Sequence, residues 1–121
     1  MIKKTIYESI LKANVYFLND CSHKEVEEWI KKKTKRNGEN YDNLSGSVTF
    51  IDVVKDDGRK SRDYLIVVED KKDFYALLHE VTHLVTHILC DRGIPYTREN
   101  TESIAYFTTW WFKRLWRIMN K

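Results

Sequence analysis

Residues 64–93, YLIVVEDKKDFYALLHEVTHLVTHILCDRG, contain the pattern that decides the fold. The run 64–68 is apolar throughout, as in a strand that is covered on both faces. Behind it, apolar residues recur at helical spacing, with Asp70 or Asp73 as the N-cap and Gly93 with Pro95 marking the end. The apolar positions of this helix are Leu77, Leu78, Val81, Leu84, Val85 and Ile88. The stretch therefore indicates an α+β fold, in which a buried strand lies beside an amphipathic helix.

The segments before residue 36 predict a strand and a helix. Residues 14–18 are aromatic and β-branched, which favours a strand, while residues 6–11 fit a helix as well as a strand. Ser22 and Glu25 form a capping box at the start of a helix. The narrow apolar face of that helix comprises Val26, Trp29 and Ile30.

Residues 36–46 are polar and rich in turn formers, which predicts a loop. A strand is expected over 47–54, joined to the strand 64–68 by a hairpin turn that contains Asp57 and Gly58. A last helix is predicted to begin near Thr97. Its core-facing stripe is expected to comprise Trp111, Phe112, Leu115, Ile118 and Met119.

Length and composition predict one domain over residues 1–121. The chain has 42% hydrophobic residues, and 21 basic against 18 acidic residues leave a net charge of only +3. This mild surplus is not that of a nucleic-acid-binding protein, and residues 31–36 are read as a solvated basic helix end. Cys21 and Cys90 do not make a disulfide framework, and both are expected to be buried. With no targeting signal and no apolar run of about 18 residues, the expected location is the cytoplasm.

This amphipathic helix contains His79-Glu80-Val81-Thr82-His83, an H-E-x-x-H sequence. Four residues advance a helix by about one turn, so both imidazoles leave the same face and can share one Zn²⁺. Glu80 projects beside them, where its carboxylate can accept a proton from a water molecule. The spacing therefore predicts two metal ligands, His79 and His83, and one general base, Glu80.

A zinc site of this kind needs a third protein ligand. His87 is a poor candidate because it lies about 12 Å along the helix axis from His79, and Cys90 is farther still. Glu102 is preferred, because the chain turns after residue 91 and returns on a new helix that can pack antiparallel at about 8–10 Å. Glu99 is the alternative if the register of that helix differs.

Residues 79–106, HEVTHLVTHILCDRGIPYTRENTESIAY, resemble small zincin-like proteins encoded by phages and prophages. The shared features are the H-E-x-x-H helix, the Arg-Gly-Ile turn and a glutamate that is followed by an Ala-Tyr pair. The resemblance implies a minimal zincin-like fold of the gluzincin type, with a small antiparallel sheet packed on the two metal-bearing helices. It also implies that His79, His83 and Glu102 bind zinc and that Glu80 is the base.

The expected activity is hydrolysis of a peptide bond in a peptide or protein substrate. No histidine follows His87, so Tyr106 is the preferred donor to the developing oxyanion, with Tyr96 and Arg98 as alternatives. The alternative function is an inactive zincin-fold protein, such as a phage factor that engages a host protein. Binding to a membrane surface through the last helix is less favoured, and binding to nucleic acid is not expected.

Overall fold

The computed structural model describes residues 1–34, 46–54, 57–58 and 60–121. The loop predicted over 36–46 therefore lies outside the described residues, apart from Gly46. The elements in chain order are β1 (Ile2–Glu8), β2 (Ala13–Asn19), α1 (His23–Thr34), β3 (Gly46–Val54), β4 (Lys60–Val68), α2 (Phe74–Asp91), a 3-10 turn (Arg98–Asn100) and α3 (Thr101–Met119).

The four strands form one mixed sheet in the order β1-β2-β4-β3. The α+β class is confirmed, but the expectation of a purely antiparallel sheet is wrong, because β2 and β4 run parallel with Val15 opposite Tyr64. The chain reaches β4 from β2 through α1 and β3, which is a connection long enough to bring two strands side by side in the same direction. The pairs β1–β2 and β3–β4 are antiparallel.

The first two strands form a hairpin, so the helical reading of residues 6–11 is wrong. The Glu8 carboxylate accepts hydrogen bonds from the backbone N–H groups of Ile10 and Leu11 at 2.6 and 2.8 Å. Lys12 then adopts a left-handed φ of 55°. A side-chain cap and a left-handed residue reverse the chain here without the Gly or Asn-Gly signal that usually reveals a turn.

The other local predictions agree with the structure. Ser22 and Glu25 form the capping box, with each side chain accepting a hydrogen bond from the other residue's backbone N–H. Asp73, rather than Asp70, caps α2 by accepting a hydrogen bond from the Ala76 N–H. The strand predicted over 47–54 begins one residue earlier, and the last helix follows a short 3-10 turn.

The two faces of the sheet carry different layers. The face covered by α2 and α3 contains the larger apolar cluster, which includes Phe17, Tyr64, Ile66, Leu84 and Trp111. The opposite face is covered by α1 and contains a smaller cluster, which includes Leu18, Val26, Ile51, Leu65 and Val67. The predicted stripe of α3 is confirmed as core, since four of its five residues are buried and Phe112 is half-buried.

Both cysteines are free, and Cys21 is buried as expected. Cys90 is exposed, so the expectation that it is buried is wrong. Position 90 lies on the outer side of α2, whereas Ile88 and Leu89 before it occupy the core. Along the described part of the chain, no helix combines the length and the apolar character needed to cross a bilayer.

The carboxyl end of α2 is fixed to the sheet by side-chain hydrogen bonds. The Tyr64 hydroxyl donates to Asp91 at 2.7 Å, and the Arg92 side chain donates to the backbone carbonyls of Leu11 and Lys12. Gly93 has a φ of +69°, which ends the helix as the sequence predicts. These contacts hold α2 across the sheet and so set the position of the histidines on its outer face.

Candidate metal centre

His79 and His83 lie on the exposed side of α2, one turn apart, with the Nε2 atoms of the two imidazoles 3.2 Å apart. The ring centroids are 4.7 Å apart and the planes are inclined by 72°. This spacing follows from the helix, since four residues return a side chain to nearly the same direction.

The separation of the two Nε2 atoms matches the requirement of a shared zinc ion. Two nitrogens that are each bonded to zinc at about 2.0–2.1 Å with a tetrahedral angle are about 3.3–3.4 Å apart. The same separation also suits a hydrogen bond in which one imidazole N–H donates to the other ring. In both cases the lone pair of at least one Nε2 points into the space between the rings.

Glu80 projects from the same turn but toward the sheet, and only 6% of its surface is exposed. Its side chain lies against Gly46, the first residue of β3, where an added Cβ would stand 2.8 Å from Glu80 Cγ and 3.0 Å from Glu80 Oε2. Burial raises the pKa of the Glu80 carboxyl above its ordinary value, while positive charge on His79 and His83 acts in the opposite direction.

His79, Glu80 and His83 form a group of potential metal ligands, and their nearest ligand atoms all lie within 4.8 Å of one another. Among residues 1–34, 46–54, 57–58 and 60–121, no other group of three His, Cys, Asp or Glu side chains meets this condition. Two imidazoles with an adjacent carboxylate are a donor set that suits zinc. The three residues that the spacing predicts to act together are therefore found together.

Glu102 lies in the first turn of α3 and is exposed, outside this group. Phe112 and Trp116 of the same helix contact Phe74 of α2, with ring centroids 5.1 and 5.3 Å apart. At 100° per residue, Glu102 is about 40° around α3 from Trp116, but it lies on the side of α3 opposite to the buried residues and is exposed.

The level of Glu102 along α2 follows from the same contacts. Phe74 is at the start of α2 and contacts the second half of α3, so the two helices run antiparallel. For nearly antiparallel axes, Glu102 lies at the level of α2 roughly one turn beyond His83. Ala105 is about 20° around α3 from Phe112 and is exposed. The ligand role of Glu102 stays a prediction.

The predicted oxyanion donors are all exposed. Tyr106 has 71% of its surface exposed and lies about 120° around α3 from Phe112, away from the side that contacts α2. Tyr96 and Arg98 precede α3 and are exposed as well, as is Glu99, the alternative ligand. The catalytic role of Tyr106 and the alternatives to it stay predictions.

His87 is half-buried, and its ring packs edge-on against Phe50 of β3 with centroids 4.8 Å apart. It thus contacts the sheet one turn beyond His83, and it is not part of the His79–Glu80–His83 group. The expectation that His87 is not a ligand stays a prediction.

Gly46 is the residue that the sequence reading missed. Gly46 falls at the end of the loop predicted over 36–46, yet it is the buried first residue of β3 and lies against Glu80. The one sequence signal was a glycine at the boundary between a turn-rich segment and a strand, and such a glycine fits a turn equally well.

The comparisons with known proteins leave the family open. No family model, no curated protein and no solved structure matches this chain.

Proposed function

We propose that this protein is a zinc-dependent metallopeptidase of the gluzincin type, which hydrolyses a peptide bond in a peptide or protein substrate. The observation that carries the proposal is the 3.2 Å separation of the His79 and His83 Nε2 atoms beside the buried carboxylate of Glu80. Two converging imidazoles favour metal binding, and a carboxylate in the same group is what hydrolysis requires in addition.

The proposed ligands are His79, His83 and Glu102. When bound, zinc would supply Lewis acidity that polarises the substrate carbonyl and lowers the pKa of water toward about 7. Glu80 accepts the proton of the attacking water and delivers it to the leaving amine. Its raised pKa favours this double role, because a carboxyl group with a pKa closer to neutrality holds the proton longer than an ordinary carboxylate.

The sheet offers a place for an extended substrate. β3 is at one edge of the described sheet, and its first residue touches Glu80. An extended peptide can pair through its backbone with an open strand edge, which would carry its scissile bond past the base. This supports a peptide as the substrate.

The first experiment measures zinc content and hydrolysis of a quenched-fluorescent peptide library by the wild type and three variants. Glu80→Gln is expected to retain one zinc ion per chain and to lose hydrolysis. His83→Ala is expected to lose both. Thr86→Ala is the matched control, because Thr86 is exposed on the same helix and its hydroxyl donates, within the described part of the chain, only to the Thr82 carbonyl. Hydrolysis that persists in Glu80→Gln contradicts the base assignment.

A second function is a zinc-binding protein without turnover. The observation that favours it is the exposure of Glu102 outside the His79–Glu80–His83 group. This function predicts stoichiometric zinc in the wild type, no cleavage of any library peptide, and a partner protein that co-purifies with it.

A further inference from the structure

The start of β3 lies so close to α2 that position 46 has no room for a side chain. An ideal Cβ on Gly46 would lie 2.8 Å from Glu80 Cγ, 3.0 Å from Glu80 Oε2 and 2.9 Å from the Val67 carbonyl oxygen. Ordinary contacts of a Cβ are 3.4–4 Å, so a methyl group here requires the Glu80 side chain and the start of β3 to move apart by about 0.6 Å.

Glycine is required at position 46 because of the limited space, and not because of its backbone conformation. The φ of Gly46 lies outside the left-handed range, in contrast to Gly58 and Gly93 at +85° and +69°. An alanine at position 46 therefore meets no backbone penalty, and the whole effect of the substitution comes from contacts with Glu80 and Val67.

The surroundings of Glu80 leave its carboxylate few alternative positions. The side chain is buried between the sheet and α2, and its neighbours on the helix are the imidazoles of His79 and His83. With Gly46 on one side and the imidazoles on the other, the carboxylate is confined to the space beside the paired Nε2 atoms.

We propose that Gly46 is a positioning residue, which by its lack of a side chain lets the Glu80 carboxylate sit beside the His79–His83 pair. The inference rests on the proposed function, because the consequence of this placement is general-base catalysis by Glu80. Gly46 itself does not touch the substrate in this account.

The activity test compares the wild type with Gly46→Ala, using the same zinc-loaded protein and peptide library. A displacement of this size at a general base is expected to lower kcat by roughly 10²-fold. KM and the affinity for zinc are expected to stay unchanged, because the substitution keeps the backbone N–H and C=O groups by which β3 would pair with a peptide and does not alter the imidazoles. A rise in KM or a fall in the affinity for zinc, with kcat preserved, overturns the proposal.

The control is Ser47→Ala, the next position on the same strand. Successive residues of a strand point to opposite faces, so Ser47 faces the α1 side and not Glu80. Ser47→Ala is expected to leave kcat unchanged. An equal loss of kcat in Gly46→Ala and Ser47→Ala shows a general disturbance of β3 and overturns the proposal.

A stability cycle tests the contact independently of any turnover. Melting temperatures of the metal-free wild type, Gly46→Ala, Glu80→Ala and the double variant are compared. Gly46→Ala is expected to lower the melting temperature by several degrees when Glu80 is present and by clearly less when position 80 is alanine. If Gly46→Ala does not fold, recovery of folding in the double variant supports the contact.

The two proposals can fail separately. A wild type that cleaves no library peptide refutes the proposed function, while the stability cycle still decides whether Gly46 and Glu80 are coupled. The inference about Gly46 is overturned if Gly46→Ala lowers the melting temperature equally with glutamate and with alanine at position 80, or if the double variant is also unfolded. Either result places the effect at the Val67 carbonyl.

Discussion

Replacing Glu80 by glutamine is expected to stabilise the metal-free protein at neutral pH. Only 6% of the surface of Glu80 is exposed, and the raised pKa of its carboxyl comes first from this burial. None of the described residues donates a hydrogen bond to it, and His79 and His83 offer the compensating charge only when they are protonated. A charge kept in such a place for function lowers stability.

The expected gain is about 1 kcal/mol in the free energy of unfolding, which is typical when a functional site is relieved of strain or charge. It is limited because the glutamine amide is also polar and must be buried. For a chain of this length, the melting temperature is expected to rise by about 3–5 °C.

The assay is urea unfolding and thermal melting of the wild type and Glu80→Gln in the presence of EDTA. Glu102→Gln is the matched control, because it makes the same chemical change at an exposed residue in the first turn of α3. The free energy of unfolding of the control is expected to fall by a few tenths of a kcal/mol, since a carboxylate in the first turn of a helix interacts favourably with the helix dipole. A Glu80→Gln variant that is no more stable than the wild type refutes the claim that burial of this charge is costly.

Three further predictions concern the scaffold. Leu84→Ala is expected to lower the free energy of unfolding in urea by about 2–5 kcal/mol, because Leu84 is fully buried between α2 and the sheet. Ser22→Ala is expected to cost about 1 kcal/mol in thermal melts at pH 7, because it removes the hydroxyl that accepts a hydrogen bond from the Glu25 N–H. The hydrogen bond from the Ser22 backbone N–H lowers the pKa of Glu25, so the stabilisation by that carboxylate is present above the ordinary pKa of glutamate and is lost as the pH falls through the lowered one. Burial and the hydrogen bond to Asp63 raise the pKa of Tyr16 to about 12. The contribution of Tyr16 to stability is therefore present below about pH 10 and is lost as the pH rises through about 12. Tyr16→Phe should remove one phenol from an absorbance titration in that range.

The sequence predicts the local elements well where one signal dominates. The Asp73 cap, the apolar repeat of α2 and the Gly93 terminus agree with each other, and the structure shows all three. The capping box of α1 and the core stripe of α3 are also local patterns, and both are confirmed. The same holds for the candidate site, since the approach of His79 to His83 is a property of helix geometry alone.

Errors arise where structure depends on contacts between distant residues. Apolar alternation identifies β2 and β4 as strands but carries no information on their relative direction, which is parallel. The turn after β1 depends on the Glu8 carboxylate and on a left-handed Lys12, neither of which is a common turn signal.

The contact between Gly46 and Glu80 joins residues 34 positions apart in the sequence. No periodicity or spacing rule connects two such positions, so the support of the candidate base could be recognised only from the structure.

Titration of metal-free protein with zinc, followed calorimetrically for the wild type and for His83→Ala, tests the central claim most directly. The account predicts one zinc ion per chain in the wild type and a loss of at least about 100-fold in affinity when one of the two imidazoles is removed. Equal zinc binding by the two proteins, or no binding by the wild type, would contradict the assignment of His79 and His83 as a metal-binding pair.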